Sequence, residues 1–354
     1  MEQKQLDYKD FWDWFLAKEK YFYEIVKNGG QEAIEKDFFD HIAAKLRQIN
    51  EGFYFLTGMS NDSTAELVFT ADGEIRNIVF IEELIEAAPT LGHWKFTALK
   101  PEKNIENVGV EMGEYSFSKD NIFFYSKEQE EYPDEIDLVF VYDGNAENKN
   151  AVTTGVCIFL DSFLGELNFA TQIDTFTVVE IDKAKQDLVP IEKLKDFLSW
   201  REREFTEKYK SIKSADVEEE FSILRATLDN EKPLIACMNL SLLNYHEKAS
   251  YPWISVLKFH YNGEHNDGLP EKEDFEILSE IEDKAIENLK EKGYLYIGRE
   301  SSDNIKESYF AGKDFREISK VFKTIKDRNP EYKISFNIFK DKYWQYFKYY
   351  NNAV

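Results

Sequence analysis

Residues 52–89 read GFYFLTGMSNDSTAELVFTADGEIRNIVFIEELIEAAP, and residues 293–330 read GYLYIGRESSDNIKESYFAGKDFREISKVFKTIKDRNP. At a constant offset of 241, Gly52 falls on Gly293, Asp62 on Asp303, Glu66 on Glu307, Phe69 on Phe310 and Pro89 on Pro330. Each stretch gives a glycine, two short apolar runs parted by turn residues, a stripe of helical period and a proline. A strand spacing of two followed by a helical spacing, then a further apolar run, describes a ββαβ unit. Helix–sheet units of this kind, with strands adjacent in sequence, predict an α+β protein and not a doubly wound nucleotide-binding fold. Duplication and two independent uses of a common unit both account for the echo.

Outward from these stretches the same grammar continues. Residues 10–27 and 34–49 carry aromatic and aliphatic helical stripes. A looser copy of the theme runs through strands at 122–125 and 136–142, a helix at 147–165 and a strand at 176–181, with a polar, acidic insertion at 126–135. Pro190 is expected to open a charged helix over 190–212, since the first helical turn tolerates a missing N–H. Strands are expected at 221–228, 234–239, 253–261, 294–298, 305–310 and 332–339, with helices at 271–292 and 313–328. The predicted architecture is two α+β domains of mixed sheets with helices packed on one face. These are an N-terminal domain over 1–185, a connector helix over 186–214 and a C-terminal domain over 215–354, opened by the run Asp216-Val217-Glu218-Glu219-Glu220.

Composition sets limits. With 44 basic and 68 acidic residues the formal net charge is −24, a field that repels phosphate backbones. Nucleic acid is therefore not an expected partner; a merely solvated acidic face is the favoured reading, and a protein with a basic surface is the alternative. Cys157 and Cys237 sit in apolar runs, as small buried hydrophobes do, and suggest no disulfide framework. The N-terminal segment lacks a basic region followed by an apolar core, and no apolar run approaches a membrane span. A soluble, cytoplasmic protein without membrane attachment is expected, its oligomeric state open.

Catalytic signatures are sparse. There is no GxxxxGK[ST], no GxGxxG after a strand and no GxSxG, so no cofactor and no catalytic residue is assigned. His246, His260 and His265 lie within twenty residues and Asp267 follows, but residues 262–268 are turn chemistry and a polar loop is the favoured reading. Arg299 ends one strand of the second echo. It is placed to clamp a carboxylate or phosphate, or to pair locally with Glu300 or Glu307. Tryptophans near element ends, Trp94 and Trp344 among them, suit either interfaces or cores.

The block Gly293-Tyr294-Leu295-Tyr296-Ile297-Gly298-Arg299, Glu307-Ser308-Tyr309-Phe310, Tyr332-Lys333-Ile334-Ser335-Phe336 and Asp341-Lys342-Tyr343-Trp344, preceded by Ile281-Glu282-Asp283, resembles the family called domain of unknown function 695, over roughly residues 217–350. The N-terminal half resembles a companion module of similar bacterial proteins through Phe11-Trp12-Asp13-Trp14-Phe15, Trp94-Lys95-Phe96, Ala98-Leu99-Lys100-Pro101 and Leu160-Asp161 with Leu164-Gly165-Glu166. More distantly, the C-terminal pattern is similar to the B-type regulator of ribonuclease E, although Asp341-Lys342-Tyr343-Trp344 is spaced differently from that family's aspartate-glycine-tryptophan stretch. That likeness implies a protein-binding inhibitor. Together these readings favour a non-enzymatic regulator or adaptor, with Arg299, Glu307, Asp341, Trp344, Trp94 and Glu166 as candidate binding residues. The alternatives are a hydrolase-like enzyme with a site near Arg299 or His246/His260/His265, and an immunity-type protein that neutralises a basic toxin.

Overall fold

A computed structural model describes residues 7–144, 147–212, 215 and 217–351. Asp216, in the acidic run expected to open the second domain, lies outside them. The chain divides into two compact units. One runs to Lys127 and resumes over Ile136–Ser199; the other comprises Glu128–Glu135 and the chain from Trp200 onward.

Besides a two-stranded hairpin of Val110–Met112 and Tyr115–Phe117, the N-terminal unit holds two small sheets that share a ββαβ core. In the first, β1 (Tyr54–Asn61) and β2 (Thr64–Thr70) form an antiparallel hairpin, and a crossover helix leads to β3 (Trp94–Ala98), parallel to β2. In the second, β4 (Ile122–Lys127) pairs antiparallel with β5 (Asp137–Tyr142), and β6 (Thr175–Glu180) lies parallel to β5. The expected helix over 10–27 is two helices, α1 (Tyr8–Leu16) and α2 (Glu19–Asn28). The break at Lys18 (φ −117°, ψ 1°) lets both apolar stripes reach one aromatic core, where Phe22 meets Phe15 and Trp14 at centroid distances of 5.6 and 5.5 Å. The crossovers are α3 (Ile75–Glu86) between β2 and β3, and α4 (Lys149–Leu164) with α5 (Glu166–Gln172) between β5 and β6. Among the described residues no single helix is long and apolar enough to cross a membrane. The bent pair α4–α5 meets that test only jointly, and α4 turns Val156, Phe159 and Leu160 into the unit's core.

Pro190 does not open the next helix. Val189 and Pro190 add a short strand to the outer edge of β4, where a residue lacking an N–H is tolerated. The helix proper is α6 (Leu194–Tyr209). Leu194 and Leu198 belong to the core of the N-terminal unit, and the division between units falls at Ser199/Trp200, inside the helix expected to be the connector.

The C-terminal unit is built on one six-stranded sheet: β7 (Phe221–Thr227), β8 (Pro233–Asn239), β9 (Trp253–His260), β10 (Leu295–Ser302), β11 (Ile305–Gly312) and β12 (Lys333–Lys340), in spatial order β7-β8-β10-β11-β9-β12. Every neighbouring pair is antiparallel. Two helices, α7 (Lys272–Lys290) and α8 (Arg316–Arg328), pack on the face bearing Tyr296, Ser308 and Phe310. Strand alternation sends Tyr309 and Ala311 to the opposite face, where they share a core with Met238, Trp344 and Phe347.

The echo survives as element order but not as topology. In the first copy β3 pairs directly with β2. In the second, β9 is inserted between β11 and β12 and pairs with both. The equated glycines also work differently. A side chain at Gly52 would run into the Asn77 amide, whereas Gly293 has open space around it but adopts φ +81°. One chemical equivalence is real: Glu66 on β2 pairs with Lys95 of the adjacent strand at 2.7 Å, and Glu307 on β11 pairs with Lys258 of its own neighbour β9.

The acidic insertion is not a passive loop. Asp134 belongs to the C-terminal unit and gathers Lys208 Nζ at 2.8 Å and the Tyr209 and Tyr343 hydroxyls, each at 2.7 Å, while its carbonyl accepts from Lys342 Nζ at 2.6 Å. Burial alone would raise its carboxyl pKa; the three donors outweigh burial and hold it below the usual range. Asp134→Ala is expected to cost about 2–3 kcal/mol, since hydrogen bonds to a charged group are lost and two phenols are left without an acceptor. Urea denaturation of the full chain reads this loss, and limited proteolysis should cut preferentially at residues 128–135. A stability within 0.5 kcal/mol of wild type would mean the insertion is held by other contacts.

Candidate functional site

Helix α7 presents the stripe Leu278, Ile281, Ala285 and Leu289 to the sheet, and Glu282 lies on the same stripe, fully buried. A carboxylate there survives only if its oxygens are answered. Oε1 accepts from the Tyr296 hydroxyl at 2.8 Å and the Ser308 hydroxyl at 2.6 Å; Oε2 accepts from Arg299 Nη1 at 2.7 Å and Lys306 Nζ at 2.8 Å. Burial pushes the carboxyl up, but Lys306, Arg299 and Ser308 outweigh it and hold it below the ordinary range. Lys306 is as buried as its partner, whereas the Arg299 side chain is 30% exposed. The Phe275 ring lies 5.7 Å from the guanidinium and 5.9 Å from the ammonium. Arg299 is thus committed to Glu282, not to Glu300 or Glu307.

The opposite face of the same strands carries a second polar group. Glu300 and Glu307 stand directly across from each other on β10 and β11. Glu307 pairs with Lys258 and accepts from the Tyr309 hydroxyl at 2.6 Å; Glu300 accepts from the Tyr350 hydroxyl. Burial first, and Glu307 across the strand, push the Glu300 carboxyl above the usual range against the hydrogen bonds from Tyr350 and Tyr309. His260 ends β9 on this side, with its pKa lowered by burial and by Lys333 and Lys258 against the opposing pull of Glu307. The chain returns over this face after Asp341, whose carboxylate caps the backbone N–H groups of Gln345 and Tyr346 at 2.9 and 2.8 Å. Trp344 is buried there and donates to the Tyr251 carbonyl at 3.0 Å.

Where the helix layer stops, the sheet is left open. β7 is an edge strand, and its outward residues Phe221 and Ile223 are 40% and 69% exposed. Phe221 also borders a groove of about 440 Å3, walled by Val217, Ile286, Leu289, Leu295 and Tyr296. Glu218, Glu219 and Glu220 form an exposed acidic approach to the strand.

Residues 221–350 match the model of a family of unknown function, DUF695. The matched region starts at β7 and ends in the aromatic tail, so it takes in the whole six-stranded sheet and its two helices. No curated protein and no solved structure matches the chain. The companion-module resemblance of the N-terminal half and the likeness to the ribonuclease E regulator are not shown by these comparisons.

The other candidates fall apart in space. His246 and His265, both in the DUF695 region, are exposed. Among the described residues no group of three or more His, Cys, Asp or Glu side chains is gathered as a metal site requires. In the N-terminal unit Trp94 is a core residue, stacked at 7° on both Phe38 and Phe96. Glu166 is buried and accepts from the Thr70 hydroxyl at 2.6 Å and from the backbone N–H groups of Lys100 and Gly73 at 3.1 and 3.2 Å. Glu282 and Lys306 are the most deeply buried charges among the described residues, and neither is among the candidate binding residues that the sequence suggests. The sequence signal for Glu282 is its place four residues after Leu278 and three before Ala285, a charged residue within an apolar stripe.

Two measurements check these arrangements. Glu282→Gln should cost about 3–5 kcal/mol in urea denaturation, because it strands the buried Lys306. Glu282→Leu combined with Lys306→Met should recover most of that loss; two independent, additive penalties would refute the coupling. For Glu300 the sign runs the other way. A carboxyl raised in the folded state adds stability below its unfolded value and loses it as pH rises through the raised value. Glu300→Gln is therefore expected to gain on wild type with rising pH, and a gap that stays flat between acid and neutral pH would contradict the assignment.

Proposed function

We propose that this chain is a protein-binding module whose C-terminal unit takes an extended, basic segment of a partner protein along the open edge of β7. The observation that carries this reading is the 69% exposure of Ile223 beside Phe221 on an edge strand, flanked by an apolar groove. Open strand edges invite pairing and natural sheets normally blunt them. An added strand would gain main-chain hydrogen bonds and place alternate side chains against Phe221, Ile223 and the groove. The acidic run Glu218–Glu220 and the net charge of −24 favour a basic partner. Cys157 and Cys237, both free thiols, are compatible with a reducing cytoplasm.

A second reading rests on the facing pair Glu300 and Glu307 with Tyr309 and His260 on the sheet face beneath the aromatic tail, groups suited to acid–base hydrolysis once the tail moves aside. It predicts turnover of some hydrolysable substrate that Glu307→Gln abolishes and Ile223→Asp leaves intact.

The binding reading is tested in the source cell. A photo-crosslinking residue at position 223 should give a reproducible adduct with a basic protein, and one at Tyr21, exposed to 52% in the other unit, should not. Phe221→Ala with Ile223→Asp should weaken that partner by about tenfold or more while shifting stability by only about 0.5 kcal/mol. Identical adducts from both positions, or none at 223, would sink the proposal.

A further inference from the structure

The N-terminal unit contains a cleft that the reading above does not use. Its polar side is built from motifs far apart in sequence. Leu99 adopts φ +61°, donates its N–H to the Phe69 carbonyl at 2.7 Å and delivers Lys100 to the cleft. Lys100 Nζ then lies 2.8 Å from Asp161 and 3.1 Å from Asp72. The backbone at Lys100 is held from both sides, its N–H by Glu166 and its carbonyl by the Glu166 N–H at 2.9 Å. This clamp is buried, so the polar wall is set before any ligand arrives.

Apart from Asp174 the remaining wall is largely apolar: Ile158, Phe169, Ile173 and Phe176 border a space of about 430 Å3, within the usual range for small-molecule sites. The lining includes four carboxylates, Asp72, Asp161, Glu166 and Asp174, against the single ammonium of Lys100. An anion would meet excess negative charge and a lysine already engaged twice. A cation could share Asp72, whose side chain is 66% exposed, while Lys100 keeps the better-buried Asp161 at 19%. The rings of Phe169 and Phe176 suit both an apolar stem and a cation over their faces.

We propose that this cleft is a binding site for a protonated amine or guanidinium carried on an apolar stem. The group is either a free small molecule or a lysine or arginine side chain of a protein. The site lies in the N-terminal unit and does not depend on the β7 edge.

The full chain carrying Cys237→Ser leaves Cys157, which lines the cleft, as its one thiol. Phenethylamine and agmatine should protect Cys157 from a maleimide, and calorimetry should show phenethylamine binding at least about tenfold tighter than phenethyl alcohol or phenylacetate. Asp72→Asn, outside the Glu166 clamp, should weaken the amine about fivefold or more. Ile158→Trp, at a position 42% exposed, should fill the space and remove protection without disturbing the polar wall. An acetyl-Gly-Arg-Gly-amide peptide separates the sources: affinity equal to agmatine assigns the site to a protein side chain, and a much weaker peptide assigns it to a free amine. Equal binding of amine and alcohol, preference for the anion, or no binding of any probe at about 10 mM would overturn the proposal.

Discussion

The C-terminal unit is organised around one buried carboxylate. Glu282 sits where a helix stripe should be apolar, and its two oxygens are each answered by two donors from β10 and β11. A carboxylate removed from water loses hydration that only close charges and hydrogen bonds can offset. The helix can therefore dock in one register alone, the one that places Glu282 between Arg299 and Lys306. A wholly apolar stripe would tolerate sliding; this one does not. The same constraint sets the neighbouring geometry, since alternation along β11 then sends Glu307 and Tyr309 to the opposite face.

That opposite face shows a different balance. Two carboxylates stand across from each other under an aromatic tail, and the tail supplies one of the hydroxyls that Glu300 needs. Asp341 and Trp344 shape the tail by capping and by burial. Asp134, from the insertion between β4 and β5, adds the hydroxyl of Tyr343 and the ammonium of Lys342 to the same junction. The tail is thus held by polar contacts at its start and aromatic packing along its length. At one edge of the sheet, β7 leaves Phe221 and Ile223 exposed beside the end of α7.

Much of this was legible in the residues. Strands and helices fall close to the positions expected from period-two and helical spacing, because those patterns are set by neighbours within a turn or two. The second-echo strands, expected to stop at Gly298 and Phe310, run on to Ser302 and Gly312, since tertiary pairing carries them past their apolar runs. Pro190 was legible as an unusual position, but its missing N–H suits a sheet edge as well as a helix start. Arg299 was visible as a candidate, while its partner was not, because Glu282 is 17 residues upstream on a helix and competes in sequence with the adjacent Glu300 and Glu307. Lys100 lies in one sequence motif and Asp161 with Glu166 in another, and only the fold joins them.

By itself the sequence determined the α+β class, the acidic character, the repeated ββαβ grammar and the place of the longer strands and helices. Each follows from local periodicity, turn chemistry or composition, which act over a few residues or over the whole chain at once. The tertiary structure alone decided that β9 enters between β11 and β12 and is absent from the first copy, that Glu282 rather than a nearer carboxylate takes Arg299, and that residues 128–135 join the second unit. Those outcomes depend on which distant segments can pair their backbone groups and satisfy their buried charges together, and that choice has no local signature.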